Sequence, residues 1–238
     1  MDSRFSLLEN AFAELNINYS QDTIQQFSDY YDLLIEWNSF MNLTAITDLN
    51  DVIIKHFVDS IIVSKFVDFS GKSIIDIGTG AGFPGIPLKI LFPDSNIVLI
   101  DSLNKRINFL NTVIDKLSLK NISCFHGRAE DYAHNPKFRE KFDFSVSRAV
   151  ANLSVLSEYC IPFVKKDGYF VSYKSDDIDV ELVNACNAIK VLNSKIYNVY
   201  DITLPFSDIN RKFVFIKKYD INKKMYPRKA GVPSKNPL

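Results

Sequence analysis

Asp76, the four glycines Gly78, Gly80, Gly82 and Gly85, and Asp101 are the residues whose types and spacing most directly suggest chemistry. Glycine lets the backbone turn tightly and approach a ligand with no side chain between them. Gly80 to Gly85 fits G-x-G-x-x-G, a weak signal when it stands alone. The acids sharpen it. Asp76 lies inside the apolar run Ser73-Ile74-Ile75-Asp76-Ile77, where a carboxylate is costly without a partner. A dinucleotide-binding strand ordinarily runs apolar straight into its first glycine, so this acid asks for another explanation. Asp101 closes the next apolar run, Ile97 to Ile100, 25 positions further on. An acid at the tip of a second strand is placed to hold ribose hydroxyls. The competing explanation is an acid paired within a helix–strand contact, and it suits Asp76 better than Asp101.

Holding these residues requires a strand, a glycine loop and a helix. Ser73 to Ile77 is the strand, and Ile86, Leu88, Ile90 and Leu91 resume an apolar pattern that suits a helix. Downstream, a helix capped by Asn104 carries Ile107, Leu110, Ile114 and Leu117 on one stripe. Strands follow at 121–125, 142–147 and 169–173, with a helix through Leu153, Leu156 and Tyr159 before the last. A helix over 177–190 precedes two strands, 196–203 and 212–216, whose short connection predicts an antiparallel hairpin. The βα alternation predicts a mostly parallel sheet with helices on both faces and ligands beyond the carboxyl ends of its strands. Gly78 to Phe83, Asp101, Ala129 and Glu130, Arg148 and Lys174 fall at five successive strand ends and should converge on one crevice. Upstream, 1–70 reads as helices: one through Phe5, Leu8, Phe12 and Leu15, one capped by Ser20, and one over 50–66. The expected division is a helical subdomain at 1–70 packed on a core at 71–220, with a basic tail at 221–238.

The 238 residues carry 28 basic and 28 acidic side chains, so net charge says nothing about partners. Its distribution is lopsided: from Arg211 onward nine basic residues face one acid, a net +8, against −8 for the remainder. A cationic end of that kind can meet phosphates, or can simply be solvated. Arg228 and Lys229, in a Pro/Gly-punctuated tail expected to stay mobile, and Lys174 are the candidate contacts for a nucleic-acid phosphate. Cys124, Cys160 and Cys186 lack C-x-x-C spacing; two read as small core residues, as in a reducing cytosol. The start of the chain has no signal-like apolar segment, and no apolar run approaches a membrane span. A cytoplasmic monomer without a metal is expected.

Several chemistries fit poorly. The three histidines have no metal-ligand spacing, no G-x-S-x-G is present, and Ile86 stands where a P-loop would carry lysine. Methylation at pyrimidine carbon 5 uses a cysteine, but Ser147-Arg148-Ala149 occupies the fourth strand end. Methylation of exocyclic amines commonly uses Asn/Asp-Pro-Pro-aromatic, also absent. An acid before the glycine loop and another ending the second strand look like an S-adenosylmethionine-dependent methyltransferase. A nucleophile with its own lone pair, such as guanine N7, would need alignment rather than a base. A small-molecule substrate fits these grounds nearly as well.

The chain resembles the bacterial small-subunit ribosomal-RNA guanine-N7 methyltransferases, also called glucose-inhibited division protein B. The resemblance runs from Trp37-Asn38 and Asn42-Leu43-Thr44-Ala45-Ile46-Thr47 through His56-Phe57-Val58-Asp59-Ser60 and the Asp76–Pro87 segment. It continues with Asp101 to Arg106, Gly127-Arg128-Ala129-Glu130, Ser147-Arg148-Ala149-Val150 and Tyr226-Pro227-Arg228-Lys229-Ala230-Gly231. It departs at Lys174-Ser175, where the family often has Lys-Gly. The resemblance implies a Rossmann-like class I methyltransferase fold: a seven-stranded, mostly parallel sheet with an N-terminal helical subdomain. It implies S-adenosylmethionine as cofactor, with contacts at Gly78, Phe83, Ala129, Glu130 and Arg148, beside Gly80 and Asp101 from the pattern above. The implied substrate is N7 of guanine 527 in the 530 loop of 16S ribosomal RNA, naked or in an assembling small subunit. The rivals are a small-molecule methyltransferase and a non-catalytic, division-associated nucleotide-binding protein. Arg148 could equally be an ion-pair partner. His56 and Asp59 are expected to make local hydrogen bonds, and Trp37 to pack.

Overall fold

A computed structural model describes residues 3–175 and 177–238; Met1, Asp2 and Asp176 lie outside the described residues. Seven strands form one sheet in the order β3-β2-β1-β4-β5-β7-β6. They are β1 Ser73–Ile77, β2 Asn96–Asp101, β3 Ile122–His126, β4 Phe142–Arg148, β5 Val164–Lys174, β6 Ser194–Thr203 and β7 Asn210–Lys218. β1 to β5 pair in parallel, while β7 runs antiparallel to both β5 and β6. β7 therefore begins at the edge where β5 ends, which brings Arg211 to the functional rim of the sheet.

Alternation along β1 sends Ile74 and Asp76 to one face and Ile75 and Ile77 to the other. The first face meets α1 Ser6–Leu15, α2 Gln21–Met41 and a helical run over 49–65, together with α5 Gly85–Leu91 and α6 Asn104–Lys116. Phe12, Phe27, Tyr30 and Phe57 from the N-terminal helices share one continuous core with Ile74, Leu99 and Val146 of the sheet. The Tyr30 hydroxyl donates to the Ala81 carbonyl, pinning α2 to the glycine loop. Opposite lie α7 Ala129–Tyr132, α8 Leu153–Cys160 and α9 Asp179–Val191.

Local chemistry accounts for the boundaries. Ser20 caps α2 in a reciprocal capping box with Thr23. The run over 49–65 is not one α-helix: α3 Leu49–Val52 and α4 Asp59–Ile61 flank a π-helical stretch, Ile53–Val58. Such stretches are uncommon and often sit at functional sites. Asn104 is the first residue of α6, not its cap; the Asp101 carboxylate accepts the Leu103 N–H just before it. β5 starts five residues before the expected Tyr169, passing through Asp167 and Gly168 with a register shift against β4. α9 starts at Asp179 rather than at 177. Of the cysteines only Cys160 is buried; Cys124 is half-buried and Cys186 exposed, and all three are free thiols.

Candidate active site

Asp76 is fully buried, and its Oδ2 accepts the Thr79 hydroxyl at 2.7 Å and the Gly85 N–H at 2.9 Å. It thus ties both ends of the glycine loop to β1, the structural role that suited it in sequence. Its Oδ1 has no hydrogen-bond partner among the described residues. Burial pushes its pKa from 3.8 up to about 7, against the pull of those two hydrogen bonds. Glycine is required at 85 because a Cβ there would lie 2.3 Å from Leu99 Cδ2. At Gly80, with φ +64°, a Cβ would meet nothing within 4 Å. That side of the loop faces open space.

Asp101 is buried at the tip of β2, where its Oδ2 accepts the Gly80 N–H at 2.9 Å and pairs with Arg106 Nη1 at 3.1 Å. The carboxylate shapes the loop as much as it faces the cavity. A crevice of about 670 Å³ opens above β1, β2 and β3, lined by Gly78, Asp101, Ala129 and Glu130. It shares Gly78, Asp101, Ser102 and Val150 with a smaller lobe of about 380 Å³ that reaches Gly80, Phe83, His56 and Arg148. All seven residues expected at the cofactor therefore surround one divided cavity. Lys174 does not line it.

Phe83 corrects the reading of its ring as mainly a ligand contact. Gly82, at φ +102°, turns the chain so that the ring enters the helical layer, 6% exposed. It stacks on the His56 ring at 4.5 Å, with Tyr30 and Phe57 beside it, and it also lines the lobe. The Arg148 guanidinium lies 5.1 Å above the ring centroid. Arg148 also donates to Asp59 Oδ2 at 2.8 Å and to the Lys55 carbonyl, so it is an ion-pair partner that also lines the lobe. Asp59, 2% exposed, accepts Arg211 Nε on its other oxygen at 2.7 Å. The π-helical stretch presents His56, and the start of α4 presents Asp59, toward Arg148 and Phe83. Burial and Arg148 lower the His56 pKa to about 4, which keeps the ring neutral, with Nε2 2.9 Å from the Thr44 hydroxyl. Arg211 was missed in sequence because it counted only as the start of a basic end. The clue available was the antiparallel hairpin, whose last strand must begin at the crevice edge.

The RNA candidates divide. Lys174 Nζ bonds the Ala151 carbonyl at 2.9 Å and Glu181 at 2.6 Å, bracing the loop after β4 against α9 rather than projecting freely. Arg228 is also committed: its backbone and guanidinium bind Glu158, which is 1% exposed. Lys229 is exposed. The tail is not the free segment its composition predicts. Arg139 donates to the carbonyls of Asn222, Lys223 and Tyr226, and the Gly231 N–H bonds Glu130 at 3.0 Å. A short helix, α10 Val232–Lys235, follows.

Fold and cavity define a class. A solved S-adenosylmethionine-dependent methyltransferase from Aquifex aeolicus superposes with a TM-score of 0.55 at 16% identity, covering 74% of this chain and 96% of that one. Precorrin-6y C5,15-methyltransferase from Geobacter metallireducens gives 0.51 at 14%, covering 68% and 86%. The fold is the Rossmann-like class I methyltransferase fold. The sequence model of the family described as "GidB: rRNA small subunit methyltransferase G" matches residues 23–210. The protein named ribosomal RNA small subunit methyltransferase G from Lachnoclostridium phytofermentans is 53% identical over 94% of this chain and 93% of its own. One of that name from Clostridium botulinum is 50% identical over 98% of both. The chain belongs to the rRNA small subunit methyltransferase G family, as the motifs implied. Among the described residues no helix is long and apolar enough to cross a membrane.

Proposed function

We propose that this enzyme methylates N7 of guanine 527 in the 530 loop of 16S ribosomal RNA, using S-adenosylmethionine. The cofactor fits the residues present: a bare glycine face at Gly80, a buried acid at the tip of β2, and small Ala129 beside Glu130 at the end of β3. Gly78, Gly80, Phe83, Asp101, Ala129, Glu130 and Arg148 would hold it. When bound, its sulfonium supplies an electrophilic methyl group. The protein contributes position and exclusion of water. Asp101 and Asp76 fix the loop from its two sides, and Arg148, held by Asp59, closes the lobe against Phe83.

The observation that carries the N7 reading is how the proton-accepting groups that line the lobe, or hold its arginine, are committed. Asp59 and Asp101 are both in ion pairs, and His56 is stacked and hydrogen-bonded to Thr44. A nucleophile that brings its own lone pair needs none of them. Calorimetry tests the cofactor assignment: S-adenosylmethionine and its demethylated product should bind, and NAD should not. NAD binding, with none for the other two, would overturn it.

A further inference from the structure

Beyond Arg148 and Ala149, on the side away from the glycine loop, lies a second chamber of about 490 Å³. Four basic side chains, Lys55, Arg148, Lys174 and Arg211, line it against two carboxylates, Asp59 and Glu181. Both carboxylates are consumed: Asp59 by Arg148 and Arg211, Glu181 by Lys174 and the Leu153 N–H. Lys55 in turn pairs with Asp51 at 2.8 Å, which leaves a surplus of one cation. Arg211 spends Nε on Asp59 and Nη1 on the Asn210 carbonyl, while its Nη2 has no hydrogen bond to a described residue. Ile46 and Ile209 supply an apolar surface in the same chamber, and Ala149 and His56 are shared with the lobe beside the glycine loop.

We propose that this chamber seats the nucleotide carrying the target base, extruded from its strand, with a phosphate on Arg211 and Asp59 as the residue that positions both arginines. This rests on the reading of RNA as substrate. Methyl transfer needs the reacting atom in line with the donor, and a pocket beside the donor can receive and orient an extruded base. Charge and shape suit a nucleotide: guanidinium forks match phosphate, and isoleucine faces accept an aromatic ring. Asp59 splits its two oxygens between Arg148 and Arg211. It thereby fixes one guanidinium at the lobe and the other in the chamber, although 152 residues separate Asp59 from Arg211.

The test uses the full-length protein, with small-subunit ribosomal RNA and subunits from a strain lacking the enzyme. Wild type must first transfer methyl groups to one of them; failure there defeats the functional reading itself. Given that transfer, Arg211→Ala should raise the RNA KM about tenfold and reduce the salt slope of RNA binding by about one. The dissociation constant for the demethylated cofactor should change less than the RNA KM, because Arg148 keeps its own bond to Asp59. Ile209→Trp fills the chamber without altering charge, and should abolish RNA turnover at unchanged cofactor affinity. It also keeps the proposal falsifiable if Arg211→Ala fails to fold. An unchanged RNA KM in Arg211→Ala, full turnover in Ile209→Trp, or equal losses of RNA and cofactor affinity would overturn it.

Discussion

Asp76 carries a charge balance that can be measured directly. Its carboxyl titrates near 7 in the folded protein and near 3.8 in the unfolded chain. Between those values the native state holds a proton that the unfolded state has released. Stability from this group is therefore fully present below about pH 4 and is lost as pH rises to 7. Asp76→Asn removes the titration and keeps an oxygen for Thr79 and Gly85. The unfolding free energy of wild type minus that of Asp76→Asn should thus decline between pH 4.5 and 7.5 in urea titrations; a difference independent of pH would contradict the assignment. Asp101→Ala removes an acceptor for the Gly80 N–H and the partner of Arg106. Cofactor affinity should fall by about 1.5–3 kcal/mol, as for a charged hydrogen bond; unchanged affinity in a folded variant would take Asp101 out of the site. Both acids were legible in sequence, because an acid in an apolar strand demands a partner and an acid at a strand tip faces a crevice. The burial of Phe83 was not: it depends on the turn at Gly82 and on helices remote in sequence.

At the scale of elements, the C-terminal segment departs most from expectation. Its composition predicts a mobile strand of cations, yet Arg228 neutralises the buried Glu158 and Gly231 holds Glu130 at the crevice wall. Replacing Arg228 by alanine would leave Glu158 buried and unpaired, a loss of about 3–5 kcal/mol. Arg228→Ala should therefore lower the melting temperature and weaken cofactor binding together, whereas Lys229→Ala should do neither. Selective loss of RNA binding in Arg228→Ala, with melting temperature intact, would restore the mobile-tail picture. The strands and most helices were readable from periodicity alone, and Ser20 from its capping position. The π-helical stretch was not: it has no signature in hydrophobic pattern, though it sets His56, and Asp59 just beyond it, against Arg148.

At the scale of the molecule, the charge asymmetry is largely internal. Five of the nine basic residues from Arg211 onward pair with acids elsewhere: Arg211 with Asp59, Lys212 with Asp201, Lys217 with Asp167, Lys218 with Glu140 and Arg228 with Glu158. The remaining four, Lys223, Lys224, Lys229 and Lys235, are exposed. Lopsided charge along a chain thus reports which segments pack together before it reports a partner. Family membership and the cationic chamber carry the case for RNA instead. Mapping N7-methylguanosine by chemical cleavage and primer extension reads out where the methyl group is placed. Small-subunit ribosomal RNA from a strain lacking this gene should lose one cleavage stop, at guanine 527, and plasmid-borne wild type should restore it. An intact stop in the deletion strain, or a loss at another nucleotide, would contradict the account.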